Sequence, residues 1–153
     1  MRLRDFVATY LYGSLDTDIY MKVPEGLNLP IKNVPREMFS IKLKRSLYGL
    51  KQSGRMWYNR LSEYLMKAGF KNNQISPCVF IKRSQSGFVI IDVYVDDLNL
   101  IGTPNEIEIT TKYLMREFEM KDLGKTKFCL GLQIEHLKSG IFVHQSNYTE
   151  KVL

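Results

Sequence analysis

Apolar and polar positions along this chain change period several times, and each change marks an element. Residues 3–10 form a strand-like run that one carboxylate, Asp5, interrupts. Residues 19–23 read as a short strand. Residues 24–36 hold three of the five prolines and read as a long loop. Residues 39–43 then alternate apolar and polar, as a half-buried strand does. Over 53–68, Trp57, Leu61, Tyr64, Leu65 and Ala68 recur at intervals of three and four, which predicts a helix with one apolar face. Gly69 is its stop signal. Residues 78–81 and 88–95 read as strands around a Ser84-Gln85-Ser86-Gly87 hairpin signal. A further strand, 98–101, is separated from the previous one only by Asp96-Asp97. Thr103-Pro104-Asn105-Glu106 matches a capping box with proline at the first helical position. Ile107, Thr111, Leu114 and Phe118 supply the buried stripe of that helix. Residues 128–134 and 141–144 read as strands joined through Lys138-Ser139-Gly140. Mixed strands and helices with mostly antiparallel connections predict an α+β fold. There is no internal repeat.

Composition narrows the class. Of 153 residues, 44% are hydrophobic and 25% charged, enough apolar material for one core and too much for a disordered chain. The length predicts one domain, or most of one. No apolar run approaches the length of a bilayer span, and no secretory leader precedes the patterned sequence, so a non-secreted protein is expected. Cys78 and Cys129 sit in apolar runs without metal-ligand spacing and read as buried free thiols. His136 and His144 have no ligand-like neighbours and read as surface or strand residues.

Charge changes the picture more. Between Arg36 and Arg60 stand seven basic residues and one acidic residue. That window carries the whole net charge of +6, which points to a polyanionic partner. A solvated basic surface is the plainer alternative.

Candidate chemistry centres on Tyr94-Val95-Asp96-Asp97, where a β-branched strand ends in adjacent carboxylates. Aspartate favours turns, so a bare hairpin accounts for the pair structurally. Paired carboxylates repel at close range, however, and a divalent cation relieves them. A third carboxylate, Asp5, would complete a site for two metal ions. Two ions about 3.5–4 Å apart can activate a 3′-hydroxyl and stabilise leaving pyrophosphate. In such phosphoryl transfer the protein mainly positions groups and neutralises charge. In Ser46-Leu47-Tyr48-Gly49-Leu50-Lys51-Gln52-Ser53-Gly54-Arg55, the small residues allow close backbone approach to a ligand. Lys51 and Arg55 suit triphosphate oxygens, and Gln52 suits a base or sugar. Trp57 reads as helix packing.

At these residues the chain resembles the reverse transcriptase domain of copia-type LTR retrotransposon Pol polyproteins, especially those of plants. The stretches that carry the resemblance cover nearly the whole chain in order. They are residues 11–16, 19–26 and 46–53 with Trp57-Tyr58, then 94–97, 118–124, 130–131 and 145–148. The resemblance implies a right-hand polymerase palm with part of the fingers. Asp5, Asp96 and Asp97 fall on the catalytic aspartates, with two Mg2+ ions as cofactors and Mn2+ as a substitute. The backbone carbonyl of Phe6 would complete a metal site. Tyr10 falls on the aromatic steric gate against the ribose 2′-hydroxyl, and Lys51, Gln52 and Arg55 on the nucleotide-binding motif. Tyr94, Val95, Leu130 and Gly131 fall on the primer-contacting segments. The implied partners are an RNA template, a DNA or RNA primer, a dNTP, and the integrase and RNase H of a polyprotein. The implied setting is a cytoplasmic virus-like particle with nuclear access.

The chain departs from the family pattern in three places. Met1 stands four residues before Asp5, so the sequence reads as truncated, without N-terminal fingers strands, thumb or RNase H. Ala8-Thr9 replaces the usual Thr-Ala. Asp92 stands where an apolar residue is expected and reads as partnered, protonated or a lesion. The expected activity is RNA-directed DNA polymerisation. The alternative is a catalytically silent remnant that at most binds nucleic acid.

Overall fold

The computed structural model describes residues 1–29, 31 and 34–153. Of the loop expected over 24–36, residues 30, 32 and 33 lie outside the described residues. The chain forms two compact units, residues 1–7 with 69–153, and residues 8–68. Helices and antiparallel sheets make it α+β, as the pattern predicts.

The first unit is built on a six-stranded antiparallel sheet. Its strands are β1 (Arg2–Phe6), β4 (Lys71–Asn72), β5 (Val79–Ser84), β6 (Gly87–Tyr94), β7 (Asp97–Gly102) and β8 (Met120–Lys125). They lie in the order β4-β5-β6-β7-β1-β8. Side chains alternate between faces. On one face the cross-strand row Phe80–Ile91–Leu100 is fully buried, next to the row Val93–Leu98–Arg4. The helix α2 (Pro104–Leu114) packs against β6 and β7, burying Ile107, Thr110 and Leu114. Arg4 is itself buried and donates to Asp122 on β8. Phe118, past the end of α2, is buried edge-to-face against Phe6 at 5.5 Å.

A small three-stranded sheet completes this unit: β9 (Phe128–Cys129), β10 (Leu132–Leu137) and β11 (Gly140–His144). The short helix α3 (Ser146–Val152) ends it. No helix among the described residues is long and apolar enough to cross a membrane.

Several expectations shift. The capping box does not form. Thr103 caps α2 by position, yet its side chain makes no capping bond. The Glu106 carboxylate instead accepts hydroxyl bonds from Ser84 at 2.7 Å and Ser86 at 2.5 Å, fastening the β5–β6 turn to the helix. The expected strand over 128–134 is broken, because Leu130 and Gly131 both have positive φ and make a two-residue hairpin. Cys78 is exposed and Cys129 only half-buried, so neither free thiol is a core residue.

The second unit holds β2 (Tyr20–Lys22) paired with β3 (Ser40–Lys42), and the helix α1 (Ser53–Lys67). The helix buries Trp57, Leu61 and Leu65 of the predicted stripe together with Met56, while Tyr64 and Ala68 are only half-buried. Gly13 is required here: a Cβ on it would meet the Met56 Cβ at 2.8 Å. Trp57 is buried beside Tyr12, with ring centroids 5.9 Å apart, which bears out its packing role.

Candidate functional site

Strand register brings the candidate aspartates of the first unit, Asp5, Asp96 and Asp97, near one another. The β6–β7 turn consists of Val95 and Asp96, one residue earlier than the sequence suggests, because Tyr94 pairs with Asp97. Asp97 therefore opens β7, where it stands opposite Asp5 on β1. The Phe6 N–H donates to the Asp96 carbonyl at 2.9 Å, so β1 also holds the turn. Val95 carries φ +52°. For a β-branched residue that is a strained conformation, costing about 1–3 kcal/mol, which persists only when its surroundings enforce it. Here the Tyr94–Asp97 pair and the Phe6 bond enforce it.

Electrostatics follow from this crowding. The Asp97 carboxyl titrates above its ordinary range, first because it is partly desolvated and then because Asp5 and Asp96 repel its charge. Among the described residues, no three His, Cys, Asp or Glu side chains are gathered closely enough to hold a metal ion as they stand. What the three aspartates supply is hard oxygen donors beside one turn, with a mutual repulsion that a divalent cation relieves. In kind, that donor set fits magnesium. Lys121 on β8 is the cross-strand partner of Asp5 on its other side. Only the register reveals this cation. A separate cleft lined by Arg2, Arg4, Ile107, Lys112 and Asp122 involves none of the three aspartates.

Asp92 lies on the same face of the sheet as Asp5 and Asp97, paired with Asn99. It is half-buried rather than in the core, and burial alone pushes its carboxyl upward. A raised folded-state value means that ionised Asp92 opposes folding above that value, and that the penalty disappears as pH falls through it. Asp92→Ala is therefore expected to raise the melting temperature at pH 7, by a margin that shrinks toward pH 4. An equal or lower melting temperature at pH 7 would show that the carboxylate has a stabilising role.

In the second unit, the Tyr10 and Tyr48 rings lie 4.5 Å apart at 34°. A Cβ on Gly54 would sit 3.7 Å from the Tyr10 hydroxyl, so Tyr10 reaches the first turn of α1. Gln52 stands at the N-cap of that helix, half-buried, and Lys51 and Arg55 are exposed beside it. The structure thus groups Tyr10, Lys51, Gln52 and Arg55 around one helix end. The basic window is only partly available. Lys42 is paired with Asp18 at 2.7 Å and Arg36 donates to the Leu27 carbonyl, whereas Lys44, Arg45, Lys51 and Arg55 are exposed. The primer-contacting candidates Tyr94, Val95 and Leu130 are all exposed.

The comparison that decides the family covers residues 2–153, which match the family described as "Reverse transcriptase (RNA-dependent DNA polymerase)". The chain belongs to the reverse transcriptase family. Curated proteins similar to it include transposon Pol polyproteins. It is 35% identical to the retrovirus-related Pol polyprotein from transposon TNT 1-94 of Nicotiana tabacum, with 97% of this chain and 11% of that protein covered. It is 32% identical to the retrovirus-related Pol polyprotein from transposon RE1 of Arabidopsis thaliana, covering 97% and 10%. The transposon Ty1-DR5 Gag-Pol polyprotein of Saccharomyces cerevisiae is 33% identical, over 97% and 8%. This reverse transcriptase chain thus spans about a tenth of the length of the relatives it matches. The plant relatives support the copia-type resemblance. No solved structure matches.

Proposed function

We propose that this chain is the palm, with part of the fingers, of an RNA-directed DNA polymerase. In this reading Asp5, Asp96, Asp97 and the Phe6 carbonyl hold two Mg2+ ions, with Mn2+ as a substitute. The observation that carries it is the register that sets Asp5 opposite Asp97 while Phe6 grips Asp96. When bound, the ions supply charge neutralisation at the attacking 3′-hydroxyl and the departing pyrophosphate of an in-line transfer.

The chain's own groups do the positioning. Lys51 and Arg55 bind triphosphate oxygens, Arg55 with two parallel donors. Gln52 hydrogen-bonds the sugar or base. The Tyr10 ring lies against the sugar and rejects a 2′-hydroxyl. Tyr94, Val95, Leu130 and Gly131 contact the primer. The template is RNA, the primer DNA or RNA, and the parent product a polyprotein that also carries integrase and RNase H.

One observation favours the second reading, a catalytically silent remnant that binds nucleic acid: the three carboxylates are near one another but not gathered as a ligand set. A primed homopolymer RNA with deoxynucleotides and Mg2+ separates the two. Extension that Asp96→Asn abolishes supports the polymerase. Salt-sensitive binding without extension supports the remnant. Strand cleavage without extension would overturn both.

A further inference from the structure

Asn99 stands two residues after Asp97, in β7 between the fully buried Leu98 and Leu100. Asparagine is depleted in strands, and a buried amide is costly unless partnered. At 2% exposure, Asn99 is buried, and both ends of its amide are engaged. Its Nδ2 donates to the Cys129 Sγ at 3.2 Å, and its Oδ1 accepts from the Thr126 hydroxyl at 3.1 Å. Neither partner belongs to the six-stranded sheet. Thr126 is fully buried just before β9, and its carbonyl bonds the ring of His136 on β10 at 2.8 Å. Cys129 is the last residue of β9, immediately before the Leu130-Gly131 turn.

The segment so held needs an anchor. β9 is two residues long, and Leu130 at the turn is 63% exposed. The Ile134 N–H donates to the Lys127 carbonyl at 2.8 Å, which closes the base of the hairpin. Such a short hairpin is marginal by itself. One side chain of β7 bonds it at the last residue of its first strand and just ahead of that strand.

We propose that Asn99 is a positioning residue that sets the Leu130-Gly131 turn in register with Asp97, so that the segment placed against the primer is indexed to the carboxylates. Thr126 and Cys129 are its receivers. The inference rests on the polymerase reading for the word primer; the anchoring itself does not. A leucine at 99 would keep the strand apolar and remove both bonds to the hairpin.

The test compares the wild-type chain with Asn99→Leu, which keeps the strand apolar, and Thr126→Val, which removes one hydroxyl at constant shape. Two readouts are taken. Amide hydrogen exchange at Ile134 should quicken about tenfold in Asn99→Leu and about threefold in Thr126→Val, the loss of two and one modest hydrogen bonds, with Ile91 unchanged. Affinity for a primed RNA–DNA duplex should weaken by a similar factor, while affinity for unprimed single-stranded RNA stays the same. A merely structural role would move exchange and leave the primed preference alone, and that result overturns the proposal. So does unchanged exchange at Ile134 in both variants. If Asn99→Leu fails to fold, Thr126→Val decides by the same criteria. A wild-type chain that does not prefer the primed duplex sinks the polymerase reading and the primer role together, whereas exchange at Ile134 still reports the anchor.

Discussion

On the proposed polymerase reading, Asp97→Asn is expected to lose primer extension while gaining stability. A carboxylate that helps hold charge-neutralising cations contributes several kcal/mol at the transition state, so extension should fall by at least about a hundredfold. The same substitution removes a charge that desolvation, Asp5 and Asp96 all penalise. In metal-free buffer at pH 7 the variant should therefore melt higher than the wild-type chain. The sign fixes the pH dependence. The penalty belongs to ionised Asp97, so the difference is largest above its folded-state titration and fades as pH falls through it. Melting curves with EDTA at pH 7 and pH 4 check the stability half. A lower melting temperature at pH 7 would mean that the carboxylates are not in conflict.

Phe80→Ala carries the largest stability effect. Phe80 is fully buried on β5, in the row with Ile91 and Leu100. Truncating such a ring costs about 3–5 kcal/mol, transfer and cavity together. For a chain of this size that corresponds to a fall of about 6–20 °C in melting temperature. Since domains are commonly stable by only about 5–15 kcal/mol, that is a large share of the total. A fall below 3 °C would show that the sheet face is not the core described.

Much of this fold is legible in the sequence wherever one periodicity runs long enough to dominate. The helix α1 shows its apolar stripe at three- and four-residue spacing, and Ser53–Lys67 follows the expected span closely. The β5–β6 hairpin is announced by Ser-Gln-Ser-Gly. What the sequence hides is set by partners distant in the chain. The strand β8, Met-Lys-Asp-Leu-Gly-Lys, shows no alternation because it is a sheet edge, where charged residues are favoured on both faces. The β6–β7 turn is misplaced by one residue because Val95 is a poor candidate for positive φ, and only its fixed neighbours impose it. Glu106 looks like a helix cap until Ser84 and Ser86 claim its carboxylate.

The candidate site divides the same way. Asp96-Asp97 and Asp5 stand out because adjacent carboxylates at a strand end demand an electrostatic explanation. Asn99 and Lys121 do not stand out: an asparagine within a strand and a lysine on an edge are chemically ordinary. Their significance lies in who faces them, Cys129 and Thr126 for one and Asp5 for the other, and that is a property of register. Asp92 is the converse case. It stands where an apolar residue is expected, and register places it half-buried on the face it shares with Asp5 and Asp97, where burial pushes its carboxyl upward.

The proposed function requires Asp5, Asp96 and Asp97 to bind Mg2+ together. Its most direct test is the melting temperature of the chain titrated with Mg2+, alongside an Asp5→Asn, Asp96→Asn double variant. Binding to the folded state alone stabilises by about 2.7 kcal/mol at a hundredfold excess over Kd, or about 5–10 °C for this length. That shift is expected in the wild-type chain and its loss in the double variant. Equal shifts in both, or none in the wild-type chain at millimolar Mg2+, would contradict it.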